Sequence, residues 1–100
     1  MVKHIVLFKL KSTLPAEEKQ RLMHDFKTAL EALTTKIDCL RSIEVGLNAN
    51  PAEAFDIALT TTFDTLDDLN RYATHPDHVA AAGIIAQAKE SRACVDYIYE

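Results

Sequence analysis

The chain has 100 residues, 48% hydrophobic and 26% charged, the composition of one ordinary soluble globular domain spanning 1–100. Its 15 acidic residues outnumber 11 basic ones for a net charge of -4, so no basic stripe is present to neutralise phosphates, and nucleic-acid binding is excluded. No apolar run approaches the roughly 18 residues a bilayer-spanning helix needs, which excludes a membrane span.

The opening MVKHIVLFKLK is too short and too charged for a secretory signal, and no cleavage motif follows it. Cys39 and Cys94 are far apart and share no CxxC spacing. They read as reduced thiols in a cytoplasmic protein, acting as small apolar filler. There is no linker, low-complexity segment or internal repeat.

In chain order, Val2 to Leu10 is predicted as a strand by its β-branched and aromatic content. Leu14-Pro15-Ala16-Glu17-Glu18 opens a helix, with proline and acids in the first turn. Leu22, Phe26, Ala29, Leu30, Leu33 and Ile37 recur at three or four and form its apolar face. Arg41 to Leu47 alternates, with Ile43, Val45 and Leu47 on one side and Gly46 marking a bulge. Asn48 to Glu53 is a loop. Asp56 to Phe63 alternates again, with Ile57, Leu59, Thr61 and Phe63 sharing a face. Thr65 to Ala73 is a short helix with Thr65 as N-cap and Asp67 and Asp68 in its first turn. Pro76 breaks it, Asp77 to Glu90 resumes as an alanine-rich helix, and Arg92 to Tyr99 is the last strand.

The order β-α-β-β-α-β is the ferredoxin-like split βαβ arrangement: an α+β fold whose four-stranded antiparallel sheet carries its helices on one face. Two strands carry a further message. Ile5 and Leu7 add a second apolar parity to Val2, Val6, Phe8 and Leu10, and Cys94 and Ile98 do the same against Val95, Tyr97 and Tyr99. A sheet apolar on both faces needs cover on both, and a second copy of the same sheet is the simplest partner. The expectation is a homodimer packed sheet to sheet; Thr60 and Thr62 fit the other reading, a half-exposed sheet.

The chemistry gathers in Tyr72-Ala73-Thr74-His75-Pro76-Asp77-His78, where a proline bend between two helical patterns aims a tyrosine and two histidines. Tyr72 shares the inward face of the short helix with Leu69. His75 precedes Pro76 and is held extended. His78 falls in the first turn of the next helix, which disfavours a protonated imidazole and leaves a neutral base. His4, on the even face of the first strand, is read either as a core histidine or as the wall of a pocket between sheet and helices. Phe26, Ile57 and His75 are assigned with it to that pocket. His75 and His78 also form an H-x-x-H pair that, with His4 or Asp77, has the ligand types for zinc. The proline between them spoils the same-face geometry, so no metal is assigned. His24 lies off the apolar stripe and reads as solvated. No G-x-S-x-G, P-loop or dinucleotide fingerprint is present, and no cofactor is expected.

The segments VKHIVLFKLK, RSIEVGLN, DIALTTTFD and YATHPDHV resemble the stress-responsive A/B barrel (Dabb) family over essentially the whole chain. The resemblance implies dimers of ferredoxin-like subunits that form α+β barrels. It also implies a relation to a plant polyketide cyclase of the family that works without a cofactor. That enzyme's proposed tyrosine–histidine acid–base pair matches Tyr72 and His78, and a pocket histidine matches His4. A further pocket histidine is replaced here by Ile57, and a pocket aromatic by Leu22. Two functions therefore stand. One is a small-molecule binding or catalytic domain, with His78 as base and Tyr72 polarising a carbonyl. The other is a non-enzymatic dimeric stress or interaction protein, in which Tyr72 and His78 lock the bend.

Overall fold

Strict alternation builds the centre of the molecule. In the computed structural model, which describes residues Met1–Glu100, strand β1 (Val2–Leu10) buries Val2, His4, Val6, Phe8 and Leu10 on one face. It pairs antiparallel on both sides, with β3 (Ile57–Phe63) and with β4 (Lys89–Ile98). β2 (Ser42–Leu47) pairs with the far side of β3, giving the sheet order β2-β3-β1-β4. The period of two sends Ile57, Leu59, Thr61 and Phe63 to the same buried face as the even residues of β1.

Helix α1 (Ala16–Glu31) starts after Pro15, with Glu17 and Glu18 in its first turn, and runs into a 3₁₀ turn at Ala32–Thr35. It buries Met23, Phe26 and Leu30, and Leu33 and Ile37 continue the stripe. Leu22 and Ala29 are only half-buried, so Met23 takes the core position that Leu22 was expected to hold. Met23, Phe26, Leu30, Leu33 and Ile37 follow one another at three and four residues, so Met23 continues the stripe and Leu22 falls at its edge.

Helix α2 (Leu66–Thr74) begins where expected: Thr65 Oγ1 accepts from the Asp68 N–H at 3.1 Å. Helix α3 (Pro76–Gly83) follows the bend but ends well before Glu90. Turns bring the chain through buried Ile85 and Ala88, and β4 starts at Lys89 instead of Arg92. The ladder decides this. Lys89 pairs with Leu10 and Ser91 with Lys9, across a register shift at the end of β1. That pairing, with the Lys11 N–H donating to the Ala88 carbonyl at 2.8 Å, outweighs the helix propensity of an alanine-rich run that already contains Gly83.

Gly46 does not mark a bulge: β2 and β3 keep unbroken register from Ser42↔Thr62 to Leu47↔Ile57. All three helices lie on one face of the sheet. The other face presents Ile5 and Leu7 of β1 and Ala93, Val95 and Tyr97 of β4, with Leu7 36% and Val95 53% exposed. Along β4 every residue is exposed. No helix is long and apolar enough to cross a membrane.

Candidate functional site

The bend between α2 and α3 assembles the site. Tyr72 is fully buried on the inward side of α2, three residues after buried Leu69. Its ring packs against Phe63 (5.1 Å between centroids) and His78 (4.5 Å). Its hydroxyl is buried with no hydrogen-bond partner. Burial holds the phenol far above its ordinary pKa, so it stays a proton donor.

His75 ends α2 and caps α3. Its extended backbone (φ -64°, ψ 136°) is what a following proline imposes, and its Nδ1 accepts the Asp77 N–H at 3.1 Å. His78 is half-buried one turn later. Its Nδ1 lies 3.0 Å from the Ala73 carbonyl oxygen. A carbonyl only accepts, so Nδ1 carries the proton and Nε2 keeps its lone pair. The imidazole is held below its ordinary pKa, chiefly by burial, with smaller contributions from His4, Arg92 and His75; the Ala73 bond pulls the other way. The neutral base expected from a helix N-terminus is therefore produced mainly by desolvation. In the H-x-x-H pair, His75 Nδ1 caps a helix and His78 Nδ1 donates to a backbone carbonyl.

His4 is 8% exposed and faces the helices, its ring edge-on to Tyr72 at 6.5 Å. Its Nδ1 is hydrogen-bonded to Asp96 Oδ1, directly across the β1–β4 ladder. Cys94 Sγ lies 3.5 Å from the same nitrogen. Cys94 is exposed, which corrects its reading as apolar filler, whereas Cys39 packs half-buried on the core with Sγ 3.3 Å from the Asp68 carbonyl oxygen.

A cavity of about 100 Å³ lies between sheet and helices, with apolar walls from Phe8, Phe26 and Leu59 and polar groups from His4, His78, Lys89 and Arg92. Of the residues singled out in the sequence, His4, Phe26 and His78 border it. Tyr72 touches His78 without reaching the cavity surface, and His75 is occupied as a cap. Ile57 instead borders a larger hollow of about 400 Å³ with Leu7, Leu47 and Phe55. Lys89, Arg92, Cys94 and Asp96 were not anticipated as neighbours of His4. The only signal for them is the β1–β4 register, in which His4, Val6 and Phe8 stand opposite Asp96, Cys94 and Arg92.

An antiparallel sheet of order β2-β3-β1-β4 with its helices on one face defines a ferredoxin-like α+β domain, and the histidine-lined cavity sits between its two layers. The chain belongs to the stress-responsive A/B barrel (Dabb) domain family, whose model matches residues 2–99. It is similar to an uncharacterised protein of Streptomyces coelicolor, 34% identical over 85 residues that cover 84% of this chain and 86% of the relative. A dimeric protein of ferredoxin-like fold from Bacteroides fragilis is 61% identical, with a TM-score of 0.97 over 98% of this chain and 95% of that one. A dimeric ferredoxin-like protein from Thermobifida fusca is 29% identical, with a TM-score of 0.80 over 98% and 90% of the two chains.

Proposed function

We propose that this domain is a homodimer that binds a compact carbonyl compound with an acidic group in the cavity between sheet and helices. One observation carries the binding reading: His78 borders the cavity with its Nε2 lone pair free, beside His4, Lys89 and Arg92. The size of the cavity, about 100 Å³, falls below the roughly 300–1,000 Å³ of sites for drug-sized ligands, so the ligand is small. Lys89 and Arg92 at its rim favour an anionic group.

The dimer follows from the open sheet face. Ile5, Leu7, Val95 and Tyr97 present an apolar surface that a second copy would cover. The Bacteroides fragilis and Thermobifida fusca relatives are dimers, which supports the same assembly here. Both cysteines are unpaired, and the cytoplasm is the compartment that suits them.

The free Nε2 of His78 favours a second reading, cofactor-free acid–base catalysis. His78 Nε2 takes a proton from the carbon beside the carbonyl, the electron pair moves onto the carbonyl oxygen, and Lys89 and Arg92 of the same cavity stabilise the charge that develops there.

The test is a nuclear magnetic resonance titration with small keto acids and with neutral ketones of the same size. Keto acids are expected to shift the His78 and Arg92 resonances at lower concentration than the ketones do, and His78→Ala is expected to abolish the response while the fold is kept. No response from either compound class, with His78→Ala lowering only the melting temperature, would make the bend purely structural.

A further inference from the structure

We propose that His4, Cys94 and Asp96 form a site for a thiophilic divalent cation such as zinc, with one coordination position left open to a further ligand. The three donors are set by the sheet itself. His4 stands opposite Asp96 in the β1–β4 ladder and Val6 opposite Cys94, so Cys94 and Asp96, two residues apart, share the face of β4 that His4 occupies on β1. One donor atom from each lies within 4.8 Å of the others.

Two of the three donor separations match those of a tetrahedral metal-bound set. Zinc holds sulfur at about 2.3 Å and nitrogen or oxygen at about 2.0–2.1 Å in tetrahedral geometry, which separates neighbouring donors by roughly 3.3–3.6 Å. His4 Nδ1 to Cys94 Sγ is 3.5 Å, and Cys94 Sγ to Asp96 Oδ1 is 3.6 Å. The third edge, His4 Nδ1 to Asp96 Oδ1, is a hydrogen bond and therefore shorter. It opens to the metal-bridged separation once the shared proton is gone. The balance is simple. The thiol releases one proton to solvent, the neutral imidazole shifts its proton from Nδ1 to Nε2, and the carboxylate is already ionised. A divalent cation with one thiolate and one carboxylate is then neutral, which suits a site whose histidine is buried.

Access and rigidity also fit. His4 is buried and held on the central strand, whereas Cys94 and Asp96 lie on β4, which is exposed along its length. A cation reaches them from solvent, and the paired strands fix their spacing. Thiolate and imidazole select zinc or cobalt over magnesium and calcium. Three protein ligands with an open fourth position is the pattern of zinc sites that take an exchangeable ligand. The site does not depend on the small-molecule reading, and its test uses metal alone.

The experiment is a cobalt(II) titration of the full chain, reduced and stripped with chelator, followed by absorption. One equivalent per chain is expected to give a thiolate-to-cobalt charge-transfer band together with visible bands of tetrahedral intensity. Zinc should displace the cobalt and magnesium should not. Cys94→Ser is expected to remove the charge-transfer band and Cys39→Ser to leave it intact. Asp96→Asn is expected to weaken binding by about tenfold or more, the scale seen when groups that support a metal are lost. No band, a band that persists in Cys94→Ser, or cobalt held by the thiol with the same affinity in Asp96→Asn would each overturn the proposal. Circular dichroism of the variants reads the fold independently.

Discussion

Tyr72→Phe is expected to stabilise this protein. Tyr72 is fully buried among Phe63, His78 and His4, and its hydroxyl has no partner. Removing a buried polar group that makes no hydrogen bond returns its desolvation cost, about 1–3 kcal/mol. The void left by one oxygen, on the order of 10 Å³, takes back only about 0.2 kcal/mol at roughly 24 cal/mol per Å³. The net gain is therefore about 1–3 kcal/mol. For a domain of 100 residues each kcal/mol raises the melting temperature by roughly 4–8 °C. The assay is paired urea unfolding of wild type and variant at one protein concentration, because dimerisation makes apparent stability concentration-dependent. The midpoint should rise at unchanged slope. The phenol stays protonated because burial raises its pKa, so the gain should be the same from pH 6 to pH 8. A variant less stable than wild type by about 1 kcal/mol would refute the reasoning, since it would show that the hydroxyl makes a hydrogen bond worth that much.

Three further outcomes are expected. Nuclear magnetic resonance titration should place the His78 pKa below its ordinary 6.5, because burial disfavours the charged ring. The unfolded chain then binds more protons at this position, so stability falls as pH drops from about 6.5 towards the lower folded value, and His78→Gln should flatten that part of the profile. Leu7→Lys, on the open face of β1, should convert a sedimenting dimer to monomer and leave the circular dichroism spectrum unchanged; a dimer that survives it would refute sheet-to-sheet assembly. Thr65→Ala should cost about 1 kcal/mol in chemical unfolding through loss of the bond to the Asp68 N–H, and an unchanged midpoint would show that the cap contributes nothing.

Much of this architecture is legible in the chain because it rests on local periodicity. The alternation of β1 and β3, the Thr65 cap and the proline bend between Tyr72 and His78 need only neighbouring residues to specify them. So does the inward face of His4, which follows from its parity with Val6 and Phe8. Family resemblance reinforced these readings, and the match over residues 2–99 agrees with it.

Tertiary pairing decided the rest. An alanine-rich run after Pro76 has the local propensity to stay helical to Glu90, yet pairing with the end of β1 at Lys9 and Leu10 draws Lys89 and Ser91 into the sheet. Gly46 suggests a bulge by its residue type, but continuous pairing on β3 keeps it regular. Above all, the triad of His4, Cys94 and Asp96 joins residues whose separation in sequence reaches 92 positions. A periodic pattern says which way each side chain points, but only the register of β1 against β4 says which of them meet.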